Sequence, residues 1–251
     1  GLLYSMQTGL GAQIGEMPRP WGFWSTAGWA LSAFVLAAVA VIGGIVWRNS
    51  GRLDLTSALM EATSLSLQVI VSNLVLILVL AFAARLSGWP VVSYLALTIP
   101  RARDFVYGIG SVALLLSALE ILNYLLGRES VTPFQTDSYR AAHAAGLLPL
   151  VWLAFVVAAP LGEEITFRGF LFRGWAASRP GVTGTILLTA LTFAAVHGQY
   201  DWFDALQVFC VGALFGWLRW RSCSTTLTIV LHMMVNLLAT SLAAAKVHGL
   251  L

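Results

Sequence analysis

Residues 24–47 read WSTAGWALSAFVLAAVAVIGGIVW, a run that contains no charged side chain. A helix needs about 20 apolar residues to cross a hydrocarbon core that is roughly 30 Å thick. The run therefore predicts a transmembrane helix, and much of the remaining chain has the same apolar character.

The composition of the chain excludes a soluble protein. Of its 251 residues, 59% are hydrophobic and 10% are charged, whereas soluble domains carry roughly 25% charged residues. So little charge cannot cover a water-exposed surface, which excludes a nucleic-acid-binding protein, a disulfide-rich secreted module and a disordered chain. The two cysteines, Cys210 and Cys223, have neither metal-type nor disulfide-type spacing.

Six further apolar segments are long enough to be candidate spans. They lie at about Ala62–Leu86, Phe105–Leu126, Gly146–Trp175, Val182–His197, Phe203–Trp220 and Thr225–Ala245. An eighth crossing would arise if Trp89–Pro100 formed a helical piece, or if Pro160 divided its segment in two. The sequence thus predicts an all-α polytopic transmembrane bundle of seven or eight spans, forming one integral membrane domain over residues 1–251.

The basic residues indicate an orientation. Alternate connections give one side Arg19, Arg85, Arg101, Arg103, Arg168, Arg173, Arg179, Arg219 and Arg221, and the other side Arg48, Arg52, Arg128, Arg140 and Lys246. This excess favours a cytoplasmic N-terminus, so the net charge of +3 is interpreted as a topology signal. The first 20 residues lack the basic start and short apolar core of a secretory signal, which predicts a retained first span.

One apolar segment carries a dense polar cluster, Pro160-Leu-Gly-Glu163-Glu164-Ile-Thr-Phe-Arg168-Gly169. Glu164 and Arg168 are spaced i, i+4 and can pair, whereas Glu163 lies about 100° away on a helix and must point elsewhere. Charge at bilayer depth is costly, so the cluster is a functional candidate. The alternative is that these charges lie at the membrane interface and extend outward.

Two later apolar segments carry histidine. His197 ends the segment Leu187–His197, with Phe193 four residues before it, and an interfacial position is the alternative to a catalytic one. His232 lies inside the apolar run Leu227–Leu238 with Asn236 one turn later, so both side chains can act on one point. A polar contact between helices is the alternative interpretation of that pair.

Polar residues elsewhere are interpreted as structural or solvated. Gln68, Asn73, Glu120 and Asn123 are expected to hold helices together, and Asp201 and Asp204 to be solvated or to cap the next helix.

The polar set on three apolar segments suits hydrolysis. A carboxylate and an imidazole can activate water, and an imidazole with an amide can donate hydrogen bonds to a tetrahedral oxyanion. The chain contains neither H-E-x-x-H nor G-x-S-x-G, which disfavours zinc and rhomboid-type serine proteases. Tyr200-Asp201 resembles half of a presenilin-type aspartyl pair, but the Gly-x-Gly-Asp partner of that pair is absent from the sequence.

Three motifs resemble those of the CPBP family, the CAAX prenyl protease and bacteriocin-processing (Abi) proteins that include the Rce1-type endopeptidase. The motifs are Glu163-Glu164-x-x-x-Arg168, Phe193-x-x-x-His197 and His232-x-x-x-Asn236, in that order. The resemblance covers a core of about residues 147–245, whereas residues 1–146 match only as additional apolar spans.

This resemblance implies an all-helical intramembrane endopeptidase with an intramembrane polar cavity, and a role for each matching residue. Glu163 would act as the base with His197 on a water, Glu164 and Arg168 would orient the site, and His232 with Asn236 would form the oxyanion hole. No cofactor is expected. Zinc held by Glu163, His197 and His232 is the disfavoured alternative.

The expected partners are membrane lipid and a peptide, bacteriocin leader or membrane-anchored protein as substrate, with no nucleic acid. The composition is interpreted as bacterial, which places the chain in the inner (cell) membrane. A non-enzymatic scaffold, assembly factor or complex subunit that keeps the protease fold is the alternative. A transporter is disfavoured because the chain lacks matching broken helices in two halves.

Overall fold

The computed structural model describes residues 18–48 and 62–251, and within these ranges the secondary structure is entirely helical. The helices are α1 (Phe23–Arg48), α2 (Ala62–Leu86), α3 (Val91–Tyr94), α4 (Ala102–Leu125), α5 (Pro133–Ala144), α6 (Leu148–Ala176), α7 (Gly181–Ala195), α8 (Trp202–Ser222) and α9 (Thr225–Val247). The predicted all-α membrane bundle is confirmed, and each predicted candidate span coincides with one of these helices.

Five helices of the described chain are long and apolar enough to cross a membrane, namely α1, α2, α4, α6 and α9. Helix α7 is apolar but has 15 residues, which rise about 22 Å, less than the hydrocarbon thickness. Helix α8 carries Asp204, Arg219 and Arg221. The number of crossings therefore stays a prediction.

The structure contains two helices that the apolar pattern does not predict. Helix α5 begins with a capping box, in which the Thr132 backbone N–H donates to Gln135 Oε1 at 3.0 Å and Pro133 takes the first helical position. Within Trp89–Pro100 only the four-residue helix α3 forms, and a helix of this length cannot be an eighth span.

Helix α6 is unbroken at Pro160 and includes two π-helical stretches instead. Leu153–Ala158 precedes the proline and Ile165–Leu171 follows the glutamate pair. Proline lacks the N–H of the α-helical ladder, and a local π adjustment absorbs the misfit. Division of this segment into two pieces, the second route to an eighth span, does not occur.

Close approach of helices fixes the position of α6. A Cβ added at Gly162 would lie 2.1 Å from Asn73 Oδ1 on α2, and one at Gly174 would lie 2.0 Å from Thr26 Oγ1 on α1. Only glycine allows these contacts, as is typical of packed membrane helices. The residue before the catalytic candidate Glu163 is therefore held directly against α2.

Two arginines that entered the loop-charge count are not loop charges. Arg168 and Arg219 are buried, and Arg219 Nε donates to the Arg168 carbonyl at 3.0 Å. The excess of loop arginines that favours a cytoplasmic N-terminus is smaller for this reason. Arg52 and residues 1–17 lie outside the described residues, so the orientation and the retained first span stay predictions.

Candidate active site

The predicted pair of Glu164 and Arg168 is confirmed inside α6. Arg168 Nη1 donates to Glu164 Oε1 at 2.8 Å, and both side chains are 0% exposed. The interpretation that these two charges extend to the interface is wrong. The second arm of the guanidinium donates to the Gly212 carbonyl of α8 at 2.9 Å, so the arginine also ties α6 to α8.

Aromatic rings enclose the Arg168 guanidinium. Its central carbon lies 4.6 Å from the Phe193 ring centroid and 5.6 Å from that of Phe215. A cation over an aromatic face is attracted by the ring quadrupole, most strongly where water is excluded. These contacts help to accommodate a charge that apolar helices surround.

Glu163 points away from its buried neighbour, as predicted. Its side chain is 22% exposed and lines a cavity of about 500 Å³ between α1, α2, α5, α6 and α9. The neighbouring carboxylates therefore have different environments, one paired in the interior and one at a cavity wall. The wall position is the one that a reactant can reach.

His232 lies between the two glutamates. Its Nδ1 is 3.0 Å from Glu164 Oε1, and its Nε2 is 3.8 Å from Glu163 Oε2. Because Glu164 is an acceptor paired with Arg168, Nδ1 carries the hydrogen of this bond. The Nε2 atom is thus directed towards Glu163 and the cavity.

Asn236 lies one turn after His232, and its Nδ2 donates to the Phe155 carbonyl at 2.8 Å. Phe155 belongs to the first π-helical stretch of α6. His232 and Asn236 thus join α9 to α6, as the alternative interpretation expected, and they also line the cavity. One amide hydrogen of Asn236 is used in this contact, which leaves the second for a ligand.

His197 lies two residues beyond the end of α7. Its Nδ1 is 2.7 Å from the Phe193 carbonyl, which can only accept, so Nε2 of the neutral ring carries a lone pair. The Phe193 ring centroid is 4.7 Å away, and the Tyr200 ring stacks on the imidazole at 5.8 Å and 8°. His197 lines the same cavity as Glu163.

A second cavity of about 210 Å³ meets the first at the site. Both are lined by Gln135, His197, Tyr200, His232, Asn236 and Ala239. Five of these side chains are polar, and they belong to three different parts of the chain: α5, the α7–α8 connection and α9. The predicted candidates Glu163, His197, His232 and Asn236 thus share the wall of one cavity.

The cavity also includes residues that were not predicted for the site. Tyr200 is adjacent to His197 in space, and Gln135 belongs to the unpredicted helix α5. Gln68 and Asn73, interpreted as structural, line the larger cavity as well. The capping-box pattern Thr132-x-x-Gln135 was a signal for α5, but no local pattern indicated that α5 faces the site.

The polar residues that were interpreted as structural or solvated make contacts that can be compared with those predictions. Asn123 Oδ1 accepts from Gln207 Nε2 at 3.0 Å, which joins α4 to α8, and Glu120 accepts from the Ser130 hydroxyl. Asp201 caps α8 by accepting from the Phe203 and Asp204 backbone N–H groups, both at 2.9 Å. Of the two alternatives for Asp201, capping is the one observed.

No three His, Cys, Asp or Glu side chains of the described ranges are grouped as metal ligands. The conditional zinc set, Glu163, His197 and His232, is therefore not arranged as a ligand cage. The expectation of no cofactor stays a prediction.

Fold and site together define an integral membrane protein with a polar site among its helices. Residues 145–238 match the Rce1-like family model, described as type II CAAX prenyl endopeptidase Rce1-like. The resemblance predicted from the three motifs is confirmed by this match, which includes all seven motif residues and covers less than half of the chain. Comparison with curated proteins gives no match, and comparison with solved structures gives none either.

Proposed function

We propose that this chain is an intramembrane endopeptidase that hydrolyses a peptide bond in its larger cavity. One observation carries the proposal: Glu163 of α6, His197 of the α7–α8 connection, and His232 with Asn236 of α9 line that one cavity. All four belong to the segment that matches the Rce1-like family. Mere packing of helices does not require two imidazoles, a carboxylate and an amide at one cavity wall.

Glu163 and His197 activate the attacking water. The Glu163 carboxylate is the acidic group at the wall, and the His197 ring presents Nε2 because its Nδ1 is bound to the Phe193 carbonyl. Either acceptor can take a proton from a water bound between them as it attacks the peptide carbonyl. Such general base catalysis contributes roughly 10²- to 10⁴-fold to the rate.

His232 and Asn236 stabilise the tetrahedral oxyanion. The amide hydrogen of Asn236 that is not bound to Phe155 is a donor, and His232 Nε2 is a second donor when the ring carries both protons. Donors aimed at developing charge in a site shielded from water are among the largest contributions to catalysis. Glu164 and Arg168 orient the His232 ring through its Nδ1.

The proposed substrate is a peptide or the anchored segment of a membrane protein, reached from the surrounding lipid. Much of the larger cavity is lined by apolar side chains such as Phe34, Val41 and Leu76, which suit an apolar peptide segment. Nucleic acid is not a partner in this proposal. The proposed location is a bacterial inner membrane with the N-terminus in the cytoplasm.

The test compares cells that express the wild-type chain, Glu163→Gln or His197→Gln, and identifies newly formed protein termini by mass spectrometry. Substrates found in this way are then cleaved by the purified protein in proteoliposomes. Glu120→Gln is the matched control, since Glu120 accepts from Ser130 and lies outside the site. We expect both site variants to lower kcat by about 10²- to 10⁴-fold.

Identical termini from wild type and from the Glu163→Gln/His197→Gln double variant would refute the peptidase. Full biological function of Glu163→Gln, with a partner complex that copurifies, would favour the scaffold instead.

A further inference from the structure

The His197 ring is not held by a helix, although the proposed function requires it to face the cavity. Helix α7 ends at Ala195, and His197 lies in the connection to α8. Its Nδ1 bond to the Phe193 carbonyl fixes one atom but leaves the tilt of the ring to its neighbours. The residues that pack on the two sides of the ring therefore decide where Nε2 points.

Tyr200 covers one side of the His197 ring almost in parallel. The ring centroids are 5.8 Å apart with 8° between the planes, and Phe134 of α5 meets the Tyr200 ring edge-on at 6.2 Å. Tyr200 lines both cavities together with His197. A rigid ring at this position prevents the imidazole from tilting away from the cavity wall.

Asp201, the residue that follows Tyr200, is held at the start of α8 by two sets of contacts. Asp201 caps α8 through Oδ1, while its other oxygen, Oδ2, accepts from Arg128 Nη2. Arg128 also lies 3.5 Å from Asp204 Oδ1, and its guanidinium carbon is 4.6 Å from the Phe203 ring centroid. Arg128 thus joins the α4–α5 connection to the start of α8.

We propose that Tyr200 is a positioning residue for His197, and that Arg128 fixes Tyr200 in turn through Asp201. The proposal rests on the proposed function only in what it says about catalysis. The proposal gives a role to the Tyr200-Asp201 pair. It also makes Arg128 a supporting residue of the site, although Arg128 lies outside the family-matched segment 145–238.

In this proposal the aromatic ring of Tyr200 positions His197, and no charge on Tyr200 is needed. Burial raises the pKa of the phenol to about 12, and the nearby Glu163 carboxylate acts in the same direction. The side chain is therefore neutral across the physiological range. A phenylalanine at this position would keep the stacked surface and lose only the hydroxyl group.

The test uses two readouts in the full-length protein. The first is the NMR chemical shift of the His197 ring protons, which a stacked aromatic ring changes. The signal is assigned by its loss in His197→Gln. The second is the separation of kcat and KM on a substrate identified as above. The NMR readout does not need peptidase activity, so it remains decisive even if the proposed function fails.

We expect Tyr200→Leu to move the His197 signal towards that of an unstacked imidazole and to lower kcat by up to about 100-fold, with little change in KM. Tyr200→Phe should retain both the signal and kcat. Tyr124→Leu is the control, because Tyr124 is an exposed tyrosine of α4. An unchanged His197 signal in Tyr200→Leu overturns the proposal, and so does an equal loss of kcat in Tyr200→Phe, which would make the hydroxyl group the acting part.

Arg128→Gln tests the second half of the proposal. It should shift the His197 signal and lower kcat in the same direction as Tyr200→Leu, by a smaller factor. Arg140→Gln is the matched control, since Arg140 pairs with Asp137 at 2.6 Å on the surface of α5. If Arg128→Gln and Arg140→Gln both leave the signal and kcat at wild-type values, the role of Arg128 is refuted.

Discussion

The Nδ1 atom of His232 lies 3.0 Å from Oε1 of Glu164, and this contact joins the middle of α9 to the middle of α6. Glu164 Oε1 also accepts from Arg168, so a single carboxylate oxygen organises a histidine and an arginine. The contact determines which imidazole nitrogen faces Glu163. It also explains why the two adjacent glutamates have unequal positions, since one is occupied by its partners and the other borders the cavity.

Removing only one member of the buried pair should be costly. Arg168→Met leaves Glu164 as a charge without its partner among apolar helices, which costs about 3–5 kcal/mol in the free energy of unfolding. The double variant Glu164→Gln/Arg168→Met should recover much of this loss. The free energy of unfolding in detergent is measured for the single and the double variant. A double variant that is less stable than Arg168→Met would contradict the prediction.

Gly162→Ala should destabilise the contact between α2 and α6. The new Cβ would lie 2.6 Å from both Cβ and Cγ of Asn73, and overpacking of this kind costs about 1–3 kcal/mol. The destabilisation should shrink in an Asn73→Gly background, as a double-mutant cycle would show. Gly110→Ala is the control because a Cβ there meets nothing within 4 Å. Equal effects of the alanine at positions 110 and 162 would argue against close packing.

Asn236→Ala should lower kcat by about 10²- to 10³-fold with a small effect on KM, as expected for loss of one oxyanion donor. Steady-state kinetics on an identified substrate would measure it. Ser241→Ala on the same helix is the control, since the Ser241 hydroxyl donates to its own helix at an exposed position. A rise in KM without a fall in kcat would assign Asn236 to substrate binding instead.

Chelation should leave peptidase activity unchanged. The expected mechanism uses Glu163 and His197 without a metal, so incubation with EDTA or 1,10-phenanthroline followed by dialysis should not lower kcat. Metal content of the purified protein by mass spectrometry gives an independent readout. Loss of activity that added zinc restores would replace this mechanism with a metal-dependent one.

Tyr200 should ionise only at high pH. Because its pKa in the folded protein is raised to about 12 from 10.0, the neutral phenol stabilises the fold below pH 10, and this contribution is lost as the pH rises towards 12. Phenolate absorbance of Tyr200→Phe should therefore match the wild type below pH 11 and fall short near pH 12. A difference that develops already around pH 10 would show an unburied phenol.

Local patterns predicted much of the fold and part of the site. Uninterrupted apolar runs predicted the long helices, and the i, i+4 spacing predicted the pair of Glu164 with Arg168. The amphipathic helix α5 was not predicted because its 12 residues are too polar and too few to resemble a span. Its capping box at Thr132 was visible, but what α5 packs against depends on α9, which is more than 80 residues away.

By itself, the sequence determined that the chain is a helical membrane protein and that Glu163 points away from Glu164, because hydropathy and helix periodicity are local properties. Only the tertiary structure decided that the imidazole in contact with both glutamates is that of His232. It also decided that His197 lies beyond the end of α7 against Tyr200. These contacts depend on how α6, α8 and α9 pack, and packing between distant segments leaves no periodic signal in the chain.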